Sequence, residues 1–322
     1  MKKIIWMSLI LSLSMLLIPF SVLGTAPKTQ TVINTNIQNP YIPKTEEASD
    51  DTFRILNHKT NDITDMKSSD YIFGVVAAEM PALYDVEAIK AQAVAAYTYA
   101  CYNRERNTDK NYDLSTDFNV YQSFITEADA DEKWGSKSEE YKTKIKNAIK
   151  ETEGYIIKYK GDAILAVYHA ISSGKTEDSS NVWGNSYPYL KSVDSSFDKN
   201  ANNYATETVY KAEKIKELLG DKINSKYSPD DYFGDCNLSK TGLVKEIEVC
   251  GKKITGSALR EMLNLRSSNF EIDYKDGNFT FTSYGYGHGV GMSQNGANEL
   301  AKQGKDFKEI LLHYYTDCTV EK

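Results

Sequence analysis

The chain has 322 residues, with 38 Lys and Arg against 45 Asp and Glu, a net charge of −7. Acidic residues spread along the whole sequence leave no concentrated basic face, which excludes nucleic acid as a partner. With 26% charged and 41% hydrophobic residues, the chain can build a soluble core of one or two domains, which excludes disorder over most of its length and a multi-span membrane protein.

Met1-Lys2-Lys3 and the uncharged run Ile4–Leu23 read as a membrane anchor or a cleaved signal. The 20-residue run is long enough to span a bilayer about 30 Å thick, which favours a single-pass protein of the cell membrane with its body extracytoplasmic. Residues 25–51, rich in Thr, Asn, Gln and Pro, read as an extended linker, and residues 52–322 as the working domain. A first helix is expected over Tyr71–Met80, capped by Ser69-Asp70 and stopped by Pro81. A second runs from Val86 to Arg104, with six alanines between Ala88 and Ala100, which implies packing on several faces. A third fits Glu139–Glu153, ended by Gly154. Residues 155–159 and 164–168 read as a hairpin. Residues 195–240 look like a polar insertion around a helix over Val209–Leu218. Leu243–Val249 alternates as a strand and Gly256–Leu263 reads as a helix. Phe270–Ile272 and Phe279–Phe281 read as strands, and Lys305–Tyr315 as a last helix. The expected class is α+β, mixed helices and antiparallel strands around a substrate groove. Cys101 reads as a buried thiol, Cys236 and Cys250 could pair or stay free if the body is exported, and no CxxC spacing marks a metal or redox site among the four cysteines.

Three stretches could carry chemistry. Glu79 ends an apolar helix, where the macrodipole disfavours a carboxylate and apolar neighbours raise its pKa. It is either a solvated helix-end residue or a general acid. The segment Gly285-Tyr286-Gly287-His288-Gly289-Val290-Gly291 leads into Ser293 and Gln294 at the start of another helix. Its glycines permit close backbone approach or unusual dihedrals, and His288 either braces this loop or touches a substrate. It lacks the GK[ST] of a phosphate loop. The third stretch, His169 to Glu177 with Trp183 and Tyr189-Leu190-Lys191, has no nucleophile elbow around Ser172 or Ser173. A polar loop beside aromatic rings suits a saccharide groove, as does a tyrosine count of 23. His58 reads as a surface residue and His313 as one lying among apolar helix positions.

Together these stretches resemble the stage II sporulation protein D family and its relatives, the amidase enhancers of bacterial cell walls. The likeness rests on Val75–Pro81, Glu87–Ala96, Ser173–Glu177, Trp183-Gly184, Tyr189–Val193, Leu265–Ser268 and Gly285–Ala297, in one order over roughly residues 52–320. The resemblance implies a peptidoglycan lytic transglycosylase acting in forespore engulfment, with Glu79 as catalytic acid. It also implies substrate contacts at Thr176, Tyr189, Lys191, Asp198, His288 and Gln294. Implied partners are glycan strands, the membrane through the N-terminal segment, and engulfment proteins including a membrane anchor partner and an amidase or endopeptidase. The alternative is a non-catalytic wall-binding module that enhances an amidase. Two positions depart from the family pattern. Tyr97 falls where relatives carry Arg, and no Cys or His lies between Cys101 and His169 to form the zinc site of some relatives, so no cofactor is expected.

Overall fold

The computed structural model describes residues 51–322. Two hydrophobic cores organise them. The first belongs to helices. Helix α1 (Ser68–Glu79) buries an unbroken run from Tyr71 to Ala77. Helix α2 (Val86–Arg106) starts at Asp85, whose side chain accepts from the Glu87 amide, and buries residues on several faces, including Ala88, Ile89, Ala91, Gln92 and Ala93–Ala96. Small side chains let neighbours close in from all sides, as the alanine content implies. Helix α3 (Glu127–Trp134) carries a Thr126–Asp129 capping box, and α4 (Ser138–Glu151) packs across α1 and α2. The strand Ile156–Tyr159 makes a tight hairpin with Asp162-Ala163 and also pairs with Thr319–Glu321.

The second core is built on strands and aromatic rings. One antiparallel sheet runs Lys252–Thr255, Val244–Val249, Phe233–Leu238; another runs Phe270–Lys275, Asn278–Tyr284, Ala205–Lys211. Phe279 and Phe281 point inward from alternate positions, and Phe233 meets both edge-on at 5.2 and 5.6 Å between centroids. Helix α5 (Ser179–Trp183) is a short turn whose Val182 and Trp183 pack against the first core. Helices α6 (Ala212–Leu219) and α7 (Gly256–Met262) cover the second core. The chain then returns to the first core through α8 (Gln294–Lys302) and α9 (Phe307–Tyr314), both packed on α2. The class is α+β, as expected, with two short parallel pairings added: Ile55-Leu56 with Leu114-Ser115, and Tyr168-His169 with Met292-Ser293.

Several expectations change. The helix read over Val209–Leu218 is a strand as far as Lys211 and α6 only from Ala212. The hairpin return ends at Ile164, whose amide donates to the Ile157 carbonyl at 3.2 Å; Tyr168-His169 then crosses to Met292-Ser293. Ser69-Asp70 lies inside α1, whose N-cap is Lys67, with no capping side chain. Cys236 and Cys250 are both free, the first exposed and the second buried. The placement as a single-pass cell-membrane protein is corrected. Among the described residues no helix is long and apolar enough to cross a membrane. The longest, α2, carries Glu87, Lys90, Arg104, Glu105 and Arg106, whose charges oppose insertion. The segment Ile4–Leu23 and the linker after it lie outside the described residues.

Candidate active site

Glu79 is the last residue of α1. It keeps part of its surface open although protein surrounds it. Burial therefore raises its carboxyl pKa above the ordinary 4.5, while four influences resist: the Ser123 hydroxyl and amide, the Gln294 side chain and the nearby charge of Lys133. The Ser123 amide donates to Oε1 at 2.9 Å. Lys133 donates to the Ala77 carbonyl at 2.7 Å, placing a cation at the helix end where the macrodipole is negative. Its own pKa is lowered by burial.

Gly74 explains how Ser123 arrives. The loop carrying Ser123 lies directly against α1, with Ile125 donating to the Gly74 carbonyl at 3.2 Å. A Cβ at Gly74 would meet the Ile125 carbonyl at 2.6 Å and run into the Phe124 ring. The Phe124 ring stacks on Tyr71 at 5.8 Å. Beneath Glu79 lies a buried amide and phenol layer. Tyr168 donates to Gln122 Oε1 at 2.8 Å, Gln122 reaches the Ala96 carbonyl at 3.3 Å, and Gln294 donates to Gln92 at 3.3 Å. Burial, then the nearby Glu79, raises the Tyr168 phenol well above its usual range.

The glycine-rich loop approaches the protein's own backbone. Gly287 has φ +110°, and a Cβ there would sit 2.8 Å from the Cβ of His169; one at Gly291, φ +72°, would collide with the Val167 carbonyl. In this loop His288 Nδ1 accepts from the Val290 amide at 3.1 Å, and the imidazole ring packs against Trp183 at 5.2 Å. Burial, then His169 and Arg260, holds His288 well below its ordinary pKa, so it is neutral. Ser293 caps α8 through the Gly296 amide at 3.1 Å, which fixes Gln294 in the first turn.

The remaining expected site residues fall in two settings. Thr176 and Asp198 are fully buried. Thr176 Oγ1 donates to the Lys191 carbonyl at 3.1 Å and accepts from the Val193 amide at 2.9 Å. Asp198 accepts from the Ser172 amide at 3.0 Å, and from Ser195 and Asn295 side chains at 2.9 Å each. Both side chains are committed inside the protein. Tyr189 is buried against Tyr159 and Tyr187, its hydroxyl accepting from the Leu165 amide at 3.1 Å. Lys191 is the open one, its ammonium 3.6 Å from Asp178 and 3.3 Å from Ser186. Thus Gln294 meets Glu79 directly, and Asn295 ties Asp198 to the same helix start. Tyr189, Lys191 and Thr176 hold a neighbouring loop. Among the described residues no group of three or more His, Cys, Asp and Glu is placed to hold a metal ion.

Sequence reading missed Ser123, Lys133 and the buried Glu177. Glu177 takes Asp178 and Asn181 on Oε1 at 2.9 and 2.8 Å, and Ser239 and Thr241 on Oε2. The signal for Glu177 was present, since an acidic residue closes the Ser173–Glu177 motif; Ser123 and Lys133 carry none.

A family model described as "Stage II sporulation protein" matches residues 56–159. The chain is 33% identical over 274 residues to stage II sporulation protein D of Bacillus amyloliquefaciens, covering 84% of this chain and 78% of that one. It is 31% identical over 282 residues to the protein of the same name from Bacillus subtilis (strain 168), covering 87% and 81%. An amidase enhancer of Bacillus subtilis (strain 168) is 28% identical over 298 residues, covering 77% of this chain and 40% of that one. With likeness of this extent running through the helices, loops and strand pairings that assemble the Glu79 site, the chain belongs to the stage II sporulation protein D family.

Proposed function

We propose that this sporulation protein is a lytic transglycosylase of peptidoglycan, acting during engulfment with Glu79 as its acid. The reading rests on one observation: a partly open carboxyl whose pKa burial raises, held by Ser123 and Gln294 rather than by a second carboxylate. Hydrolytic glycosidases use paired carboxyls, one of them to direct water or form a covalent intermediate. An intramolecular transfer needs one. Glu79 protonates the glycosidic oxygen leaving between N-acetylmuramic acid and N-acetylglucosamine. The resulting carboxylate, steadied by the Ser123 amide and Gln294, takes the proton from the muramic C6 hydroxyl as that oxygen attacks C1. The bond to the leaving oxygen breaks, a 1,6-anhydro ring forms, and no water is consumed. Lys191, Tyr189 and the loop around His288 position the strand.

Mass spectrometry of digested glycan strands tests this. Anhydromuramic ends from the wild type and none from Glu79→Gln support it. Reducing ends without anhydro rings mean a hydrolase. The amidase enhancer relative favours a second reading, a non-catalytic wall-binding module; it wins if the wild type cuts no glycan but raises the rate of an amidase.

A further inference from the structure

Arg260, on α7, is 7% exposed, and its Nε donates to the Leu265 carbonyl at 3.2 Å. Arg266 is half-buried, its guanidinium 4.0 Å above the Tyr286 ring centre, and its Nε is buried without a hydrogen-bond partner. The acidic groups acting on this pair are the Tyr286 phenol, which faces both, and Glu261 at the surface beside Arg260. The other titrating groups nearby are two histidines and the carboxylate of Asp198, which acts on His169 but is held by Ser172, Ser195 and Asn295. His169 and His288 both feel Arg260, and the buried Nε2 of His169 has no partner. Burial pushes Arg260 down to about 10 and lowers Arg266 as well. Withdrawing a guanidinium from water is expensive unless an anion compensates, and a planar guanidinium is shaped for a carboxylate. The pair is anchored to the glycine-rich loop, since the Gly287 amide donates to the Arg266 carbonyl at 3.0 Å.

We infer that Arg260 and Arg266, beside Tyr286 and His169, form a binding site for a carboxylate of the wall polymer. This rests on the reading of peptidoglycan as substrate. The polymer offers two such carboxylates, the lactyl group of a muramic acid that has lost its stem peptide and the free carboxyl of a stem peptide where one remains. Tyr168 and His169 are consecutive in a strand, so their side chains take opposite faces. Tyr168 lies with Glu79, and His169 with Arg260 and against Gly287, whose amide donates to the Arg266 carbonyl. The carboxylate therefore binds away from the bond being cut, and the arginines position the substrate without entering the chemistry.

Ligand-observed NMR titration of the full chain with sodium N-acetylmuramate, muramyl dipeptide and N-acetylglucosamine reads this directly. At least one acid binds, and the neutral sugar binds roughly tenfold or more weakly. Binding of N-acetylmuramate alone assigns the lactyl group; binding of muramyl dipeptide alone, whose lactyl group is amidated, assigns the peptide carboxyl. Arg266→Gln weakens the acid roughly tenfold with an unchanged melting curve, and Arg266→Lys recovers only part. On glycan strands, Arg266→Gln raises KM and leaves kcat. Equal affinity for acid and neutral sugar, no binding of either acid, or wild-type affinity in Arg266→Gln overturns the inference. Carboxylate binding that depends on Arg266 in a protein that cuts no glycan upholds it while removing the transglycosylase reading.

Discussion

Two carboxylates of the first core, Glu79 and Asp198, have opposite environments. Asp198 is closed over and held by three donors from Ser172, Ser195 and Asn295. Glu79 also has three donors, the Ser123 hydroxyl and amide and the Gln294 side chain, but it sits at a helix end with part of its surface open, and burial still outweighs them. A carboxylate enclosed on all sides among its donors meets no substrate and does structural work. One with an open face and a raised pKa can hold a proton and pass it outward. In the proposed reading the contrast separates the residue that reacts from one that holds loops together.

Exchanging the roles should fail in different assays. Glu79→Gln removes the proton and keeps the shape, so the glycan-cleavage rate falls by about 10²–10⁴-fold, measured from anhydro ends, with folding intact. Asp198→Ala leaves three buried donors unmet and costs about 3 kcal/mol of stability, read from denaturant unfolding; a variant as stable as wild type would dissolve the contrast. Glu177→Ala, which frees Ser239 and Thr241 from the Ser173–Glu177 loop, costs roughly 2 kcal/mol by the same measure.

Acid titration sharpens the comparison further. The native state keeps the Glu79 proton at pH values where the unfolded chain, near 4.5, has lost it. Stability is therefore lost as pH rises above 4.5 toward the raised value, and Glu79→Gln lacks this limb. His169 slopes the other way. Burial lowers it from 6.5 to about 4, against the pull of Asp198, so its contribution is complete above pH 6.5 and is lost as pH falls toward 4. Melting temperatures of wild type, Glu79→Gln and His169→Gln across pH 4–7 separate the two slopes. The smallest effect belongs to Lys191→Ala, whose 3.6 Å contact with Asp178 is solvent-exposed; stability changes by less than about 1 kcal/mol, while affinity for glycan falls.

Helices α1 and α2 were legible because Pro81 and the alanine run mark their end and their packing. The strand Ala205–Lys211 was not. None of its residues is buried, so its alternation carries no contrast, and the helical period of Ile215 and Leu219 extends backward over it. The apolar run Ile164–Val167 likewise has no alternation to show which way the chain turns. At the site, Glu79 and Gln294 stand in recognisable segments. Ser123 does not, because its place follows from a loop landing on Gly74, a contact 44 residues in sequence from Glu79 to Ser123. Chemistry borne by a single residue leaves a local imprint, whereas its hydrogen-bond partners are set by tertiary packing.

The pairing of Gln294 with Gln92 across 202 residues also sets a timetable. A chain made from its N-terminus exposes α1 and α2 long before α8, α9 and the strand Thr319–Glu321 arrive to cover them, while the aromatic core in between can fold on its own schedule. Contacts this distant are slow to close and leave apolar surface waiting. Any product ending before residue 294 carries Glu79 without its Gln294 partner and without the helices that seat it. If the protein cuts glycan as proposed, that activity is tied to completion of the polypeptide.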